Sequence, residues 1–248
     1  QRLKEAAKMI FEKQNMTISY TGKEEAPEFM KAEVERFIEG VYEDQKQGEK
    51  VKVTCTKSNE GFATAGGVQY VACAGNFKDA GLEYTGALKV LQMIFSYEYL
   101  WIQIRVKGGA YGCMCSFSDQ GDSMFVTYRD PNLSESYKVY DEAADYVADF
   151  DADDRDMKKY IIGTIGSMDM PMEAVDMGAR SFHAYFLGKT EADLQKVRDQ
   201  VLSCTQEDIR ALAPIVKAVV EAGNRCCIGN EEKIDQNKEY FDEVKHVL

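Results

Sequence analysis

Along this chain, stretches of alternating apolar and polar residues give way to stretches with apolar residues at helical spacing, and the change of period marks out the elements. Over residues 1–14, Leu3, Ala6, Ala7, Ile10 and Phe11 form a helical stripe already under way, as in a piece of a longer protein. Over 16–21, Ile18 and Tyr20 alternate with Thr17 and Ser19, which predicts a strand. Pro27 then opens a helix carrying Phe29, Ala32, Val34, Phe37, Ile38 and Val41. Residues 45–50 are polar around Gly48, a linker by composition.

After the linker, Val51, Val53 and Cys55 alternate into a strand, 61–67 reads as loop, 68–73 as a strand and 75–81 as its exit loop. Residues 83–103 form a long helix, apolar nearly all round (Leu88, Leu91, Ile94, Phe95, Leu100, Trp101), as in a helix covered on most sides. Segments 113–117 and 123–128 pair as a hairpin across Asp119-Gln120-Gly121-Asp122. Asn132 and Glu135 have capping-box spacing, ahead of a helix with Leu133, Tyr137, Tyr140, Ala144 and Val147 on one face. Further helices are predicted over 153–167, 172–187, 190–203 and 205–222, with Thr190 and Thr205 as N-caps. Residues 225–228 read as a returning strand and 235–247 as a closing helix. The sum is an α+β layer, a sheet with helices packed on one side.

Composition narrows the function classes. Hydrophobic residues at 45% and charged residues at 29% are ordinary for a folded chain of 248 residues. The nearest approach to a membrane span, 88–104, is broken or bounded by Lys89, Glu98 and Arg105. A net charge of −12 argues against nucleic-acid and anionic-membrane partners, because cations to neutralise phosphate are in deficit. That charge suits basic peptides, and a solvated acidic surface accounts for it equally well. Residues 130–160 alone hold ten acidic and four basic side chains. Seven cysteines is an odd count, and Cys55, Cys73, Cys113 and Cys115 fall in strand-like segments. With no export signal in these residues, reduced thiols in a cytoplasmic chain are the expectation.

The candidate chemistry concentrates at 104–112, Ile-Arg-Val-Lys-Gly-Gly-Ala-Tyr-Gly, where the long helix hands over to the hairpin. Arg105 offers a planar fork of donors, and the Tyr111 hydroxyl can donate to a developing oxyanion. Gly108 and Gly109 allow positive φ and close approach between them. The plainer account is a helix–strand turn with a surface Arg and a packed Tyr. Other constellations fail on their chemistry. Cys113 and Cys115 share a strand face without a second pair to complete a zinc site, and Cys226 and Cys227 point oppositely. Asp149, Asp151 and Asp153 start like a calcium loop, but Asp154 and Tyr160 occupy the positions that need Gly and Glu. An acidic first turn before a helix explains them better.

Arg105-x-x-Gly108-Gly109-Ala110-Tyr111-Gly112, with Tyr99-Leu100-Trp101 before it and Tyr128-Arg129-Asp130-Pro131-Asn132 after it, resembles the C-terminal domain of the M16 zinc metallopeptidases, the presequence-protease (M16C) branch. The resemblance runs from about Gly61 onward. It implies the M16 metallohydrolase domain fold, a mostly antiparallel sheet with helices on one side. Residues 1–48 would close a preceding domain, and 49–248 would be the C-terminal substrate-binding domain. It further implies an enzyme in which Arg105 and Tyr111 bind unfolded peptide substrate and help stabilise the tetrahedral intermediate, with Gly108 and Gly109 letting the two converge. The partner would be the N-terminal catalytic half of the same polypeptide, which would carry the zinc. That family binds zinc through an inverted His-x-x-Glu-His helix, and the two histidines here, His183 and His246, cannot supply it. No metal ligands are therefore expected in this chain, and alone it should be inactive. The rival expectation is a non-catalytic M16-like scaffold or partner subunit with no zinc site.

Overall fold

The computed structural model describes residues 1–22, 25, 27–43, 53–54 and 56–247. Most of the strand expected over 51–55 and all of the linker over 45–50 lie outside the described residues. In chain order the first elements are α1 (Arg2–Ile10), α2 (Glu28–Glu39), β1 (Glu60–Thr64), β2 (Tyr70–Asn76) and α3 (Ala87–Ile94). Next come β3 (Gly112–Phe117), β4 (Asp122–Tyr128), α4 (Ser134–Asp141), α5 (Ala143–Ala148), α6 (Asp154–Met168) and α7 (Ala174–Phe186). The chain finishes with α8 (Glu191–Leu202), α9 (Gln206–Arg210), α10 (Ala213–Glu221), β5 (Asn224–Asn230), α11 (Glu231–Gln236) and β6 (Glu243–His246). They fall into two compact units, one of Gln1–Cys55 with Pro171–Thr190, the other of Thr56–Met170 with Glu191–Leu248.

The first unit holds α1, α2 and α7. Its backbone is joined where Lys13 N–H donates to the Tyr42 carbonyl and Tyr42 N–H to that of Phe11, each at 3.0 Å. The strand expected over 16–21 does not form. Its alternation is present, but among the described residues no strand lies beside it to complete a ladder, and Ile18 and Tyr20 stay exposed.

The second unit is built on one six-stranded sheet, in the order β3-β4-β2-β5-β1-β6. The pairs β3/β4, β4/β2 and β2/β5 are antiparallel, whereas β5/β1 and β1/β6 are parallel. Register puts Ala63, Val71, Cys73, Cys115, Phe117, Phe125 and Cys227 on one face, all buried. Helices cover this face. Leu88, Leu91, Ile94 and Phe95 of the long helix are fully buried, and Phe95 meets Phe125 and Phe117 at ring distances of 5.8 and 6.4 Å. Tyr137 and Tyr140 of α4 are buried too, and their hydroxyls donate to the carbonyls of Cys226 and Val71, so neither polar tip is stranded. A Cβ at Gly75 would stand 2.5 Å from the Val219 carbonyl oxygen, so glycine there lets α10 close on β2. The opposite face carries Tyr70, Met114, Met124, Tyr128 and Ile228, all exposed.

Further expected elements differ in this unit. Residues 61–67 were expected as loop, yet Glu60–Thr64 is strand β1, whose small residues Gly61 and Ala63 fit beneath Ile234 and Phe241. The closing helix over 235–247 ends at Gln236, and Glu243–His246 pairs with β1 because Asp242 and Asn59 exchange hydrogen bonds that start the ladder. The helix over 205–222 breaks into α9 and α10 at Ala211-Leu212. The long helix loses its all-round burial after Leu100: Ile104 is still buried, but Trp101, Ile102 and Val106 are exposed.

Candidate functional site

The long helix does not keep α-helical winding to its end. Phe95–Tyr99 and Trp101–Lys107 are π-helical turns, and Gly108 N–H donates to the Gln103 carbonyl, five residues back, at 3.0 Å. Arg105 rides on the second of these turns. A Cβ at Gly108 would lie 2.6 Å from the Ile104 carbonyl oxygen, and Gly109 has φ +80°, so the exit corner requires both glycines. Ala110 drives the corner into the core, its N–H bonded to the Ile104 carbonyl at 3.1 Å. Tyr111 then joins the end of β4 through its N–H to the Arg129 carbonyl, 3.3 Å.

On the solvent side of that corner the side chains converge. The Arg105 guanidinium sits 4.1 Å from the Trp101 ring centroid and 5.9 Å from that of Tyr111. Tyr111, 66% exposed, meets Tyr128 edge-on at 5.8 Å, and Tyr128 meets Tyr70 at 5.5 Å. The result is a strip Trp101–Arg105–Tyr111–Tyr128–Tyr70 that runs from the helix end onto the open face of the sheet. Tyr111 is thus not packed away, and among the described residues Arg105 has no carboxylate partner. A cation and a phenol with free donors can bind a peptide main chain or an oxyanion.

Sequence reasoning found Arg105, Gly108, Gly109 and Tyr111, and the structure brings all four together. It missed Trp101 as the platform beneath Arg105, although the two stand four positions apart, about one helical turn. It also read Asn132 as half of a capping box. Instead α4 starts at Ser134 and lacks a side-chain cap at its N-cap residue, Leu133. The Asn132 amide is committed elsewhere, donating to the Gly108 carbonyl at 2.6 Å. The expected N-cap at Thr205 does form, as one half of a capping box with Asp208, and Asp153 caps α6 by accepting from the N–H groups of Arg155 and Asp156.

Cys113 lies two residues past Tyr111, but it is not an activated thiol. Burial pushes it up to about 11 despite the opposing charge of Arg105. Burial likewise raises Cys73 to about 11 and Cys227 to about 12. The histidines do not make a metal site. His183 lies on α7, and His246 approaches only Glu231, at 3.2 Å. Among the described residues no group of three or more His, Cys, Asp or Glu side chains could hold a metal ion, so the donor set here does not fit zinc.

Residues 59–230 match the family model of the PreP C-terminal domain. The chain belongs to that family. It is similar to the protein HypA of Clostridium perfringens, 42% identical over 99% of this chain and 25% of that protein. It is also similar to the chloroplastic and mitochondrial presequence protease 1 of Arabidopsis thaliana, 34% identical over 77% of this chain and 18% of that protein. The chain therefore spans about a quarter or less of the length of these relatives. In fold it is similar to a peptidase M16 inactive domain from Pseudomonas fluorescens, with a TM-score of 0.54 at 13% identity, covering 82% of this chain and 50% of that one. A similar likeness links it to pitrilysin, with a TM-score of 0.51 at 12% identity over 81% of this chain and 22% of that one. The chain is thus an M16C-like C-terminal domain whose α+β fold is similar to that of M16 peptidase domains.

Proposed function

We propose that this chain is the substrate-binding C-terminal part of a zinc metalloendopeptidase that cleaves unfolded peptides, acting together with an N-terminal catalytic half of the same polypeptide. The observation that carries the reading is the convergence of Arg105 and Tyr111 on the exposed side of a corner whose backbone needs two glycines. A scaffold has no chemical use for an unpaired guanidinium beside an unpaired phenol. Residues 1–48 would close a preceding domain, and 49–248 would present the strip. The zinc ligands would lie outside this chain, since among its described residues no group of side chains fits the metal.

In this reading the Arg105 fork donates to carbonyl oxygens of the extended substrate near the scissile bond. The Tyr111 hydroxyl donates to the carbonyl oxygen as it gains negative charge, an interaction worth about 2–4 kcal/mol if it is made mainly in the transition state. Trp101 keeps the guanidinium from folding away. The substrate class is argued from charge, since −12 overall and an acidic run over 130–160 attract basic peptides. A cytoplasmic setting is part of the same proposal and rests on the reduced thiols.

The test uses the full-length protein and a long, unstructured basic peptide. Turnover should vanish on zinc chelation, and Tyr111→Phe should lower kcat about tenfold or more with little change in KM. Wild-type protein without zinc-dependent cleavage would leave the chain as a non-catalytic M16-like scaffold and Tyr111 as a surface residue.

A further inference from the structure

The second sequence motif, Tyr128-Arg129-Asp130-Pro131-Asn132, touches the Arg105–Tyr111 corner through every residue but Asp130. The Tyr128 ring meets the Tyr111 ring at 5.8 Å. The Arg129 carbonyl accepts from Tyr111 N–H, in a residue whose φ is +49° although it is not glycine. Pro131 Cγ would be 3.6 Å from a Cβ at Gly109, ordinary contact distance. Asn132 Nδ2 donates to the Gly108 carbonyl at 2.6 Å.

Asp130, in the middle, does not face the corner. It is fully buried, and its side-chain acceptors are used inward: Oδ1 accepts from Asn132 N–H at 2.9 Å and Oδ2 from the Ser136 hydroxyl at 2.6 Å. Its backbone exchanges two hydrogen bonds with Gln69, at 2.7 and 2.8 Å. Asp130 thus ties the second motif to the residue before β2 through its backbone and to α4 through its carboxyl, and Asn132 passes that fixed point on to Gly108.

We infer that Asp130 and Asn132 are positioning residues for Arg105 and Tyr111. The corner itself is ill suited to hold one shape. Two consecutive glycines gain backbone freedom when unsupported, and the π-helical turns before them offer weaker hydrogen-bond geometry than an α-helix. The Gly108 carbonyl, at the helix end, has no onward helical partner, so the Asn132 amide both satisfies it and fixes its direction. Gly108 lies between Arg105 and Tyr111, so that direction sets the angle at which the two side chains converge. Asp130 serves one level back, orienting the Asn132 backbone. These roles rest on the function proposed above, but the clamp itself does not require it.

The test is made in the full-length protein with Asn132→Asp, which keeps the shape and turns the donor into an acceptor facing a carbonyl. Amide hydrogen exchange over 105–112 reads the clamp without reference to activity. Exchange there should accelerate about tenfold or more, while 224–230 in the sheet centre stays at the wild-type rate. Peptide turnover reads the consequence: kcat should fall about tenfold at near-constant KM. Adding Asn132→Asp to Tyr111→Phe should cost much less than the product of the two single effects. Unchanged exchange over 105–112 overturns the clamp, whatever turnover does. Faster exchange with full turnover, or with effects that multiply, overturns the positioning role. Faster exchange in Asn132→Asp, with a wild-type protein that cleaves nothing, keeps the clamp and defeats the proposed function instead.

Discussion

Asp130 is a carboxyl buried without a cation, and burial raises it above its usual range against the pull of three hydrogen bonds. The sign follows from the folded form holding its proton more tightly than the unfolded form. Asp130 contributes most to stability below the ordinary carboxylate value, and the contribution is lost as pH rises through its raised folded value. Wild type should therefore lose urea resistance relative to Asp130→Asn as pH climbs from about 4 toward neutrality. A pH-independent difference between the two would show that the carboxyl is not titrating in the fold. Cys113 gives a second expectation. With its thiol held near 11, alkylation by a maleimide should be slow at neutral pH and accelerate toward alkaline pH, and a fast reaction at neutrality would contradict the burial seen here. The site was legible at this scale where chemistry and backbone need coincide, in Arg105, the glycines and Tyr111. Asn132 was misread because a capping box and a tertiary amide donor leave the same letters in a sequence.

At the scale of elements, patterning was readable where one face was buried and the other was not. The hairpin alternates Ser123, Phe125 and Thr127 inward against Met124, Val126 and Tyr128, so its strands were plain from sequence. Strand β1 was hidden because its inward residues are Gly61 and Ala63, too small to mark a face. Strand β6 was hidden because its partner stands almost two hundred residues earlier, and only the parallel ladder to Glu60–Ala63 makes it a strand. The alternation also sets the cost of change. Phe125→Ala should destabilise by about 3–5 kcal/mol, whereas Met124→Thr on the open face should stay within about 0.5 kcal/mol, as measured by chemical denaturation. Comparable losses at both positions would mean the open face is covered. Thr205→Ala removes the hydroxyl that accepts from Asp208 N–H, one half of the α9 capping box, and should cost about 1 kcal/mol.

At the scale of the whole molecule, the division between catalyst and clamp is the main expectation. Among the described residues no side-chain group could hold a metal ion, so the proposed reading requires the remainder of the relatives' length to be present before anything is cut. The charge of −12 acts globally, and moderate salt should raise the melting temperature of this chain by screening self-repulsion while weakening its capture of basic peptides. Opposite responses of the two measurements to one titration of salt would be hard to obtain from a neutral surface. The strand order carries a further consequence. β5 lies between β2 and β1, yet it is translated after every strand except β6. Until residues 224–230 leave the ribosome, β2 presents an open edge, and β1 has neither of its neighbours. Between the emergence of β4 and that of β5 the growing polypeptide carries an open-edged half-sheet and an unpaired β1, a natural point for a chaperone to hold on and for inclusion bodies to begin.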